Sequence, residues 1–443
     1  MLGREEPSLG HSRLPTAFPL SRWRRPSLAL ALSFAALPAV AQVQNGPGIG
    51  SNPQLPPPYQ TKSAVNTPDT TPFPNGGGPA AAAGLAVNRF ADGLDSPRNA
   101  VVLPNGDVLV AEARTERKNE DPTYRDQGRN RILLLRDSDG DGRADVREVL
   151  IAGLQQPYGM ALIGAKLYIA NANGVFWTPY AIGTTRIADD APRTWITRFD
   201  PTGYNNHWTR NLLSSRDGKT LYVAIGSASN AGEYGMEKEK RRAAILAIDL
   251  QTGRERIFAD GIRNPVGMAL EPVTGKLWTS VNERDELGDD LVPDYITSVQ
   301  EGGFYGWPYS YWGKHPDPRL KGQRPDLVAR AITPDYAVGA HASALGISFG
   351  DRTSLPQPFR SGAFVARHGS WNRAQLLGYD VVFVPFRDGR PAGDMKPVLT
   401  AFTDGVLVHG RPRALATAKD GALLVVDDKG GAIWRVAAAA AAP

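Results

Sequence analysis

Residues 99–113 read NAVVLPNGDVLVAEA: an apolar stretch, an Asn-Gly turn, and a second apolar stretch. Asn-Gly supplies the positive φ angles a tight hairpin needs, and the flanking Val and Leu favour extended backbone. The pattern recurs in turns rather than in identities. It returns at 158–177 (YGMALIGAKLYIANANGVFW) and at 210–227 (RNLLSSRDGKTLYVAIGS, continued by AILAIDLQTGRERIFADG). It returns again at 266–283 (VGMALEPVTGKLWTSVNE), less regularly through LGISFG and SGAFVARHGSW, and at 414–436 (ALATAKDGALLVVDDKGGAIWRV).

One such unit cannot bury both faces of its sheet, whereas units set radially pack blade against blade. The pattern predicts an all-β, six-bladed β-propeller with long inter-strand insertions over residues 84–437, about 60 residues per blade. Seven blades or an irregular sandwich are the alternatives. The 47 glycines, 36 prolines and lack of a long helical pattern agree with short strands joined by loops. Polar residues and proline precede several first strands, as in GLDSPRNAV, GLQQPYGMAL, GIRNPVGMAL and HGRPRALAT. In a propeller that position borders the central channel, so several blades aim polar groups at one axial ligand.

The N-terminus has a different character. SRWRRPSLALALSFAALPAVAQ places arginines at 22, 24 and 25 before an apolar run that ends in AVA at 39–41. Residues 1–41 are read as a cleavable secretory signal, and the product as periplasmic or secreted. The alternative, a membrane anchor, needs a longer run of about 20 residues, so no stable membrane span is expected after cleavage. Residues 42–83, rich in Pro, Gly, Asn and Thr, read as a linker or loosely attached coil, and 438–443 as a frayed tail. The leader holds five arginines and two glutamates, so its removal lowers the net charge from +5 to +2. That balance does not argue for nucleic acid. The absence of cysteine excludes disulfides, thiolate metal sites and thiol nucleophiles. No dinucleotide fingerprint, P-loop or HExxH is present.

Several residues are candidates for chemistry. His207 lies just ahead of a blade's first strand, and a near-neutral pKa suits it to proton abstraction, although a lone histidine is more often structural. In GIRNP (261–265), Arg263 is placed to neutralise developing oxygen charge and Asn264 to donate a hydrogen bond, against a plain turn reading. Arg411 and Arg413 share one strand face, where a polycarboxylate would relieve their crowding, or else they form a solvated pair. VNERDELGDD (281–290) is dense in carboxylates, either an exposed loop or a calcium site. GGFYGWPYSYWG (302–313) either packs or walls a sugar-sized cleft. DSDGDGRADVRE (137–148) has the spacing of a calcium loop. Asp137, Asp139 and Asp141 stand at positions 1, 3 and 5, the Arg143 carbonyl at 7, Asp145 at 9 and Glu148 at 12. Its strand-like flanks make a helix–loop–helix hand unexpected, and such a site would be structural, remote from the chemistry.

Over residues 85–436 the chain resembles the soluble pyrroloquinoline-quinone (PQQ) sugar dehydrogenases, most closely the L-sorbosone dehydrogenase branch. The resemblance rests on GIRNPVGMAL, VNERDELGDDLVPDYITSVQEGGFYGWP, HGSWNR and DGALLVVDD. It implies a six-bladed propeller with PQQ and Ca²⁺ at the top of the channel, a sugar or aldehyde substrate, and an external electron acceptor (quinone, cytochrome or dye). By the same resemblance His207 matches the general base, Arg263 the arginine at the reactive quinone oxygen, and Asn264 a quinone contact. Arg411 and Arg413 match the pair on the cofactor carboxylates. Glu283 and Arg284 fall where backbone carbonyls meet the active calcium. Gln156, with its neighbour Gln155, lies near the family's channel glutamine. The family's cofactor lysine has no clear match, and RHGSWNR offers His368 and Arg373 instead. Its threonine contact gives way to GAHAS, where His341 approaches. Two rivals stand beside this reading: a calcium-dependent lactonase-type hydrolase, which needs a carboxylate cluster in the channel, and a non-catalytic carbohydrate- or protein-binding propeller working through its insertions.

Overall fold

The structure, a computed structural model, describes residues 48–114, 129–200 and 207–440. The expected leader over 1–41 lies outside the described residues. No described helix is long and apolar enough to cross a membrane.

Six antiparallel sheets form the blades. The first four are built in chain order: Pro97–Val102 to Val146–Ile151, Met160–Ile163 to Thr194–Arg198, Arg210–Ser214 to Glu255–Asp260, and Pro265–Leu270 to Tyr336–Ala340. The fifth runs from Ala344–Phe349 to Lys396–Thr400. The sixth takes Pro412–Thr417, Leu423–Asp427 and Ala432–Ala438 from the C-terminus and its outer strand, Leu85–Ala91, from the N-terminus. The innermost strands touch in sequence and close a ring about the axis.

Strand alternation explains why the blades stack. Leu109 and Ala111 enter a cluster with Leu167 and Ile169 of the second blade, whereas Val108 and Val110 face Leu424 and Val426 of the sixth. Period-two patterning thus feeds two interfaces from one strand. Six such apolar clusters fill the six gaps between neighbouring blades. The glycines of YGM and VGM serve the axis. A Cβ on Gly159 would lie 2.5 Å from the Arg210 carbonyl oxygen, and one on Gly267 2.6 Å from that of Leu345. Neighbouring innermost backbones approach this closely because no side chain intervenes.

The N-terminal segment departs from the expected loose coil. Ile49–Gly50 pairs with the outer strand of blade four and Ala80–Ala81 with that of blade five. Between them the chain crosses loop tips as a strap. Tyr59 N donates to Leu287 O (2.7 Å), Asp289 N to Thr61 Oγ1 (2.8 Å), Asn66 N to Trp371 O (2.8 Å) and Thr71 N to Val408 O (2.7 Å). Phe73 sits among Phe402, His409 and Trp434. Pro and Gly deny the strap regular strands, but its backbone groups find partners on the propeller rim. At the other end, pairing continues to Ala438 opposite Leu85, one residue into the expected tail.

The aromatic run 302–313 is packing rather than a platform. Phe304, Tyr305, Trp307, Tyr311 and Trp312 are all buried, and the Trp307 indole donates to Asn230 O (2.9 Å).

Candidate active site

First strands begin, and second strands end, at one face of the disc, here the upper face. Residues 156, 207, 263, 264, 411 and 413 precede or open first strands, and 283, 284, 368 and 373 follow second strands, so these ten predicted residues belong to that face.

His207 is buried, with its Nδ1 3.0 Å from Ser227 Oγ and 3.2 Å from Ser227 O. Gly226 makes room beside it, since a Cβ there would lie 2.7 Å from His207 Cβ and 2.2 Å from Asn264 Oδ1. His207 and Asn264 therefore flank the same glycine. Asn264 Oδ1 is buried without a hydrogen-bond partner. Burial, then the charges of Arg263 and Arg242, push the His207 pKa well below its ordinary value, so the ring is neutral at neutral pH.

Arg263 is almost completely buried. It donates through Nη1 to Glu283 O (2.6 Å) and Asn282 Oδ1 (3.0 Å), and through Nη2 to Asn230 Oδ1 (2.8 Å) and Asp285 Oδ2 (3.1 Å). Burial favours a neutral Asp285, but Arg263 and His341 outweigh it and hold the carboxyl below its usual range. His341 Nδ1 lies 3.5 Å from Asp285 Oδ1, so Asp285 bridges Arg263 and the GAHAS histidine.

Glu283 and Arg284, expected to offer backbone carbonyls to a metal, are both buried at this face. The Glu283 carbonyl receives the Arg263 guanidinium, and its carboxylate accepts from Arg284 Nε (2.9 Å). Arg284 is fully buried, donating also to Asp317 Oδ2 (3.0 Å), Pro308 O (2.8 Å) and Ser310 O (2.7 Å). The Arg284 side chain thereby anchors the insertion that follows.

Across the axis, Asp428 is a hub that the sequence did not single out. Arg98 Nη1 donates to its Oδ2 at 2.7 Å, Arg413 Nη1 to the same oxygen at 3.2 Å, and His368 Nε2 lies 2.8 Å from Oδ1. Burial would raise this carboxyl, but His368, Arg98 and Arg413 hold it well below the usual range. Burial lowers His368 to about 4 against the pull of Asp428, with Arg411 and Arg413 acting in the same direction as burial. Arg411 reaches Tyr379 OH (2.7 Å), and Arg413 Nε is buried without a hydrogen-bond partner. Lys429, beside the hub, is depressed by desolvation and by Arg98, Arg411 and Arg413.

Two further predicted cofactor residues have partners of their own. Arg373 is paired with Asp290 (2.7 Å) and donates to Asp289 O (2.7 Å), so it ties together two loops of the rim. Gln156, at a positive φ of 48°, donates through Nε2 to Arg114 O (2.9 Å).

An apolar floor joins the two halves. Ala113, Tyr158, Trp208, Val266 and Leu345 form one buried cluster drawn from five blades or their leading loops. Tyr158 and Trp208 meet edge to face at 6.3 Å, Arg98 lies 5.6 Å from the Trp208 ring, and Arg413 lies 5.6 Å from the Tyr158 ring. Trp208 follows His207 in the chain, so the histidine and the cation cluster share this floor.

The 137–148 loop joins the third and fourth strands of blade one and so lies at the opposite face. Asp137, Asp139 and Asp141 bring ligand oxygens within 4.8 Å of one another, the only such group among the described residues. Asp145 accepts from Ser138 N (2.8 Å), as Asp137 does from Gly140 N (2.7 Å), and the Arg143 amide donates to Asp141. Glu148 is exposed on Val146–Ile151 and stands outside the group.

The chain was compared with known proteins. The sequence model of a family described as TrAA12-like matches residues 79–300 and 326–439. A Hypocrea jecorina protein named pyrroloquinoline quinone-dependent sugar dehydrogenase is 26% identical over 370 residues, covering 73% of this chain and 79% of its own. A Borreliella burgdorferi protein without an assigned function is 31% identical over 300 residues, covering 64% of this chain and 76% of its own. Among solved structures, a Trichoderma reesei carbohydrate-active enzyme of family AA12 superposes with a TM-score of 0.68 at 23% identity, over 85% of this chain and all of that one. The holo PQQ domain of Coprinopsis cinerea pyranose dehydrogenase gives 0.66 at 20% identity, over 81% and 97%. At these identities the solved structures share the fold.

Proposed function

Since the chain belongs to the TrAA12-like family of PQQ-dependent sugar dehydrogenases, we propose that it is a quinoprotein oxidoreductase acting on an aldose or a sugar-derived aldehyde of the L-sorbosone type. The supporting observation is the cation cluster. Arg98, Arg411, Arg413 and Lys429 surround one strongly ionised carboxylate, Asp428, and Arg413 Nε has no hydrogen-bond partner. This donor set fits a flat ligand bearing several carboxylates. PQQ, when bound, supplies the electrophilic quinone that takes the substrate hydride. Arg98, Arg411 and Arg413 would hold its carboxylates, and the apolar floor would keep water from the site. Arg263 and Asn264 line the side nearest the base. His207, neutral in its buried setting, removes the proton from the sugar hydroxyl or aldehyde hydrate. The electrons then pass to an external acceptor.

Calcium as the second cofactor is best supported at Asp137, Asp139 and Asp141, as a structural ion. At the upper face no group of three His, Asp or Glu ligands occurs among the described residues, so an ion there would rest on backbone carbonyls such as those of Glu283 and Arg284. The arginine-flanked apolar leader supports export to the periplasm or medium. The lactonase reading is disfavoured, since the upper-face carboxylates Asp285 and Asp428 are paired with arginines rather than clustered for a metal.

The test is to titrate the purified protein with PQQ, with and without Ca²⁺, and then assay dye reduction with a panel of aldoses and aldehydes. A bound chromophore and substrate-dependent reduction are expected, and no PQQ uptake in the presence of calcium would refute the reading. Asp139→Asn is expected to abolish calcium's effect on thermal stability while leaving turnover of the PQQ-loaded protein near wild type.

A further inference from the structure

We propose that Ser227 and Glu239 are positioning residues that hold His207 as the Nδ1-protonated tautomer, so that Nε2 is the proton acceptor. The inference rests on His207 being the base.

His207 Nδ1 faces two oxygens of Ser227, the carbonyl at 3.2 Å and the hydroxyl at 3.0 Å. The carbonyl can only accept. The hydroxyl has a single hydrogen, committed to Ser229 O at 2.6 Å, so toward the ring it also only accepts. Two acceptors facing one ring nitrogen require that nitrogen to carry the hydrogen, which leaves the lone pair on Nε2.

The rest of the loop enforces this arrangement. Glu239 closes the short turn Met236–Glu239 in the insertion between the second and third strands of blade three. Its carboxylate accepts from Ala228 N (2.7 Å) and Ser229 Oγ (2.5 Å), which fixes the carbonyl that receives the Ser227 hydrogen. On the other side Arg242 donates to Gly226 O (3.0 Å), Ser227 O (3.0 Å) and His207 O (3.3 Å). The segment that presents acceptors to the imidazole is thus held from both sides by charged groups. Arg263, Arg242 and Arg210 all bear on the ring as cations and oppose a second proton.

The tautomer is readable without turnover. The whole chain has six histidines, so ¹⁵N-histidine labelling gives a small set of imidazole signals, and His207→Gln assigns the one of interest. Long-range ¹H–¹⁵N correlation of the protein without PQQ is expected to show Nδ1 protonated and Nε2 unprotonated between about pH 6 and 8. Ser227→Ala should raise the other tautomer's share several-fold and lower kcat about 10-fold, with KM and PQQ affinity within about twofold. Glu239→Gln, which keeps the side chain's shape but cannot accept from both partners, should shift tautomer and kcat in the same direction with an unchanged thermal midpoint. The proposal is overturned by an Nε2-protonated ring in the wild type, or by a tautomer ratio that Ser227→Ala leaves unchanged, whatever happens to kcat. Failure of PQQ to bind would refute the functional reading and leave the tautomer measurement standing.

Discussion

At the scale of single residues, electrostatics decides what His207 can do. A base must be neutral before it accepts a proton, and the buried, cation-flanked ring stays neutral to well below its ordinary value of 6.5. The acid limb of kcat/KM is therefore expected below pH 6.5, measured as initial dye reduction by PQQ-loaded protein across pH. His207→Ala should retain the chromophore and lose about 10²–10⁴-fold in kcat. Turnover near wild type in that variant would remove the base from His207. The residue scale is also where sequence reading was weakest. Residue type and position before a first strand pointed to His207, Arg263, Arg411 and Arg413. Arg98 and Asp428 are 330 positions apart yet 2.7 Å apart in space, and no local pattern announces such a pair. SPRNAV and GRPRAL do share one form, and that likeness was the available signal for Arg98. Glu283 and Arg284 were picked out for their carbonyls, and the pairing of their side chains with each other is a contact that sequence does not reveal.

At the scale of elements, the hairpins were legible because Asn-Gly and Asp-Gly turns with alternating apolar residues state both conformation and burial. The strap was not, because its order comes from tertiary hydrogen bonds and a few aromatic contacts that composition does not encode. Gly78 tests its fit. A Cβ there would lie 2.5 and 2.7 Å from ring atoms of Trp434, whose indole is held by Phe73 on one side and by a hydrogen bond to Asp427 Oδ2 (3.2 Å) on the other. Gly78→Ala should cost about 1–3 kcal/mol by chemical denaturation, as overpacking does. No loss of stability would mean that the strap lifts away at little cost. In the 137–148 loop Asp137, Asp139 and Asp141 come together, whereas Glu148 lies on the strand that follows.

At the scale of the whole molecule, six blades followed from counting turn-delimited units. Even the irregular fifth unit forms a full blade, with its outer edge extended by Ala80–Ala81. Which strand closes the ring was not readable, since Leu85–Ala91 looks like any other apolar run until it is seen opposite Ala432–Ala438. Closure by both chain ends makes the fold cooperative. A chain ending at Gly431 loses the strand that joins Leu423–Asp427 to Leu85–Ala91, and it should lose the single sharp thermal transition expected of the full chain. An unchanged transition would show that the ring does not depend on this seam. The same seam sets the order of events during synthesis. Blades one and two consist of consecutive strands and have all their strands soon after these leave the ribosome. The sixth blade receives its outer strand early and the partner of that strand almost last. At roughly 5–20 residues per second, translation of the intervening segment takes on the order of tens of seconds, during which the nascent ring has an unpaired edge of the kind on which aggregation starts.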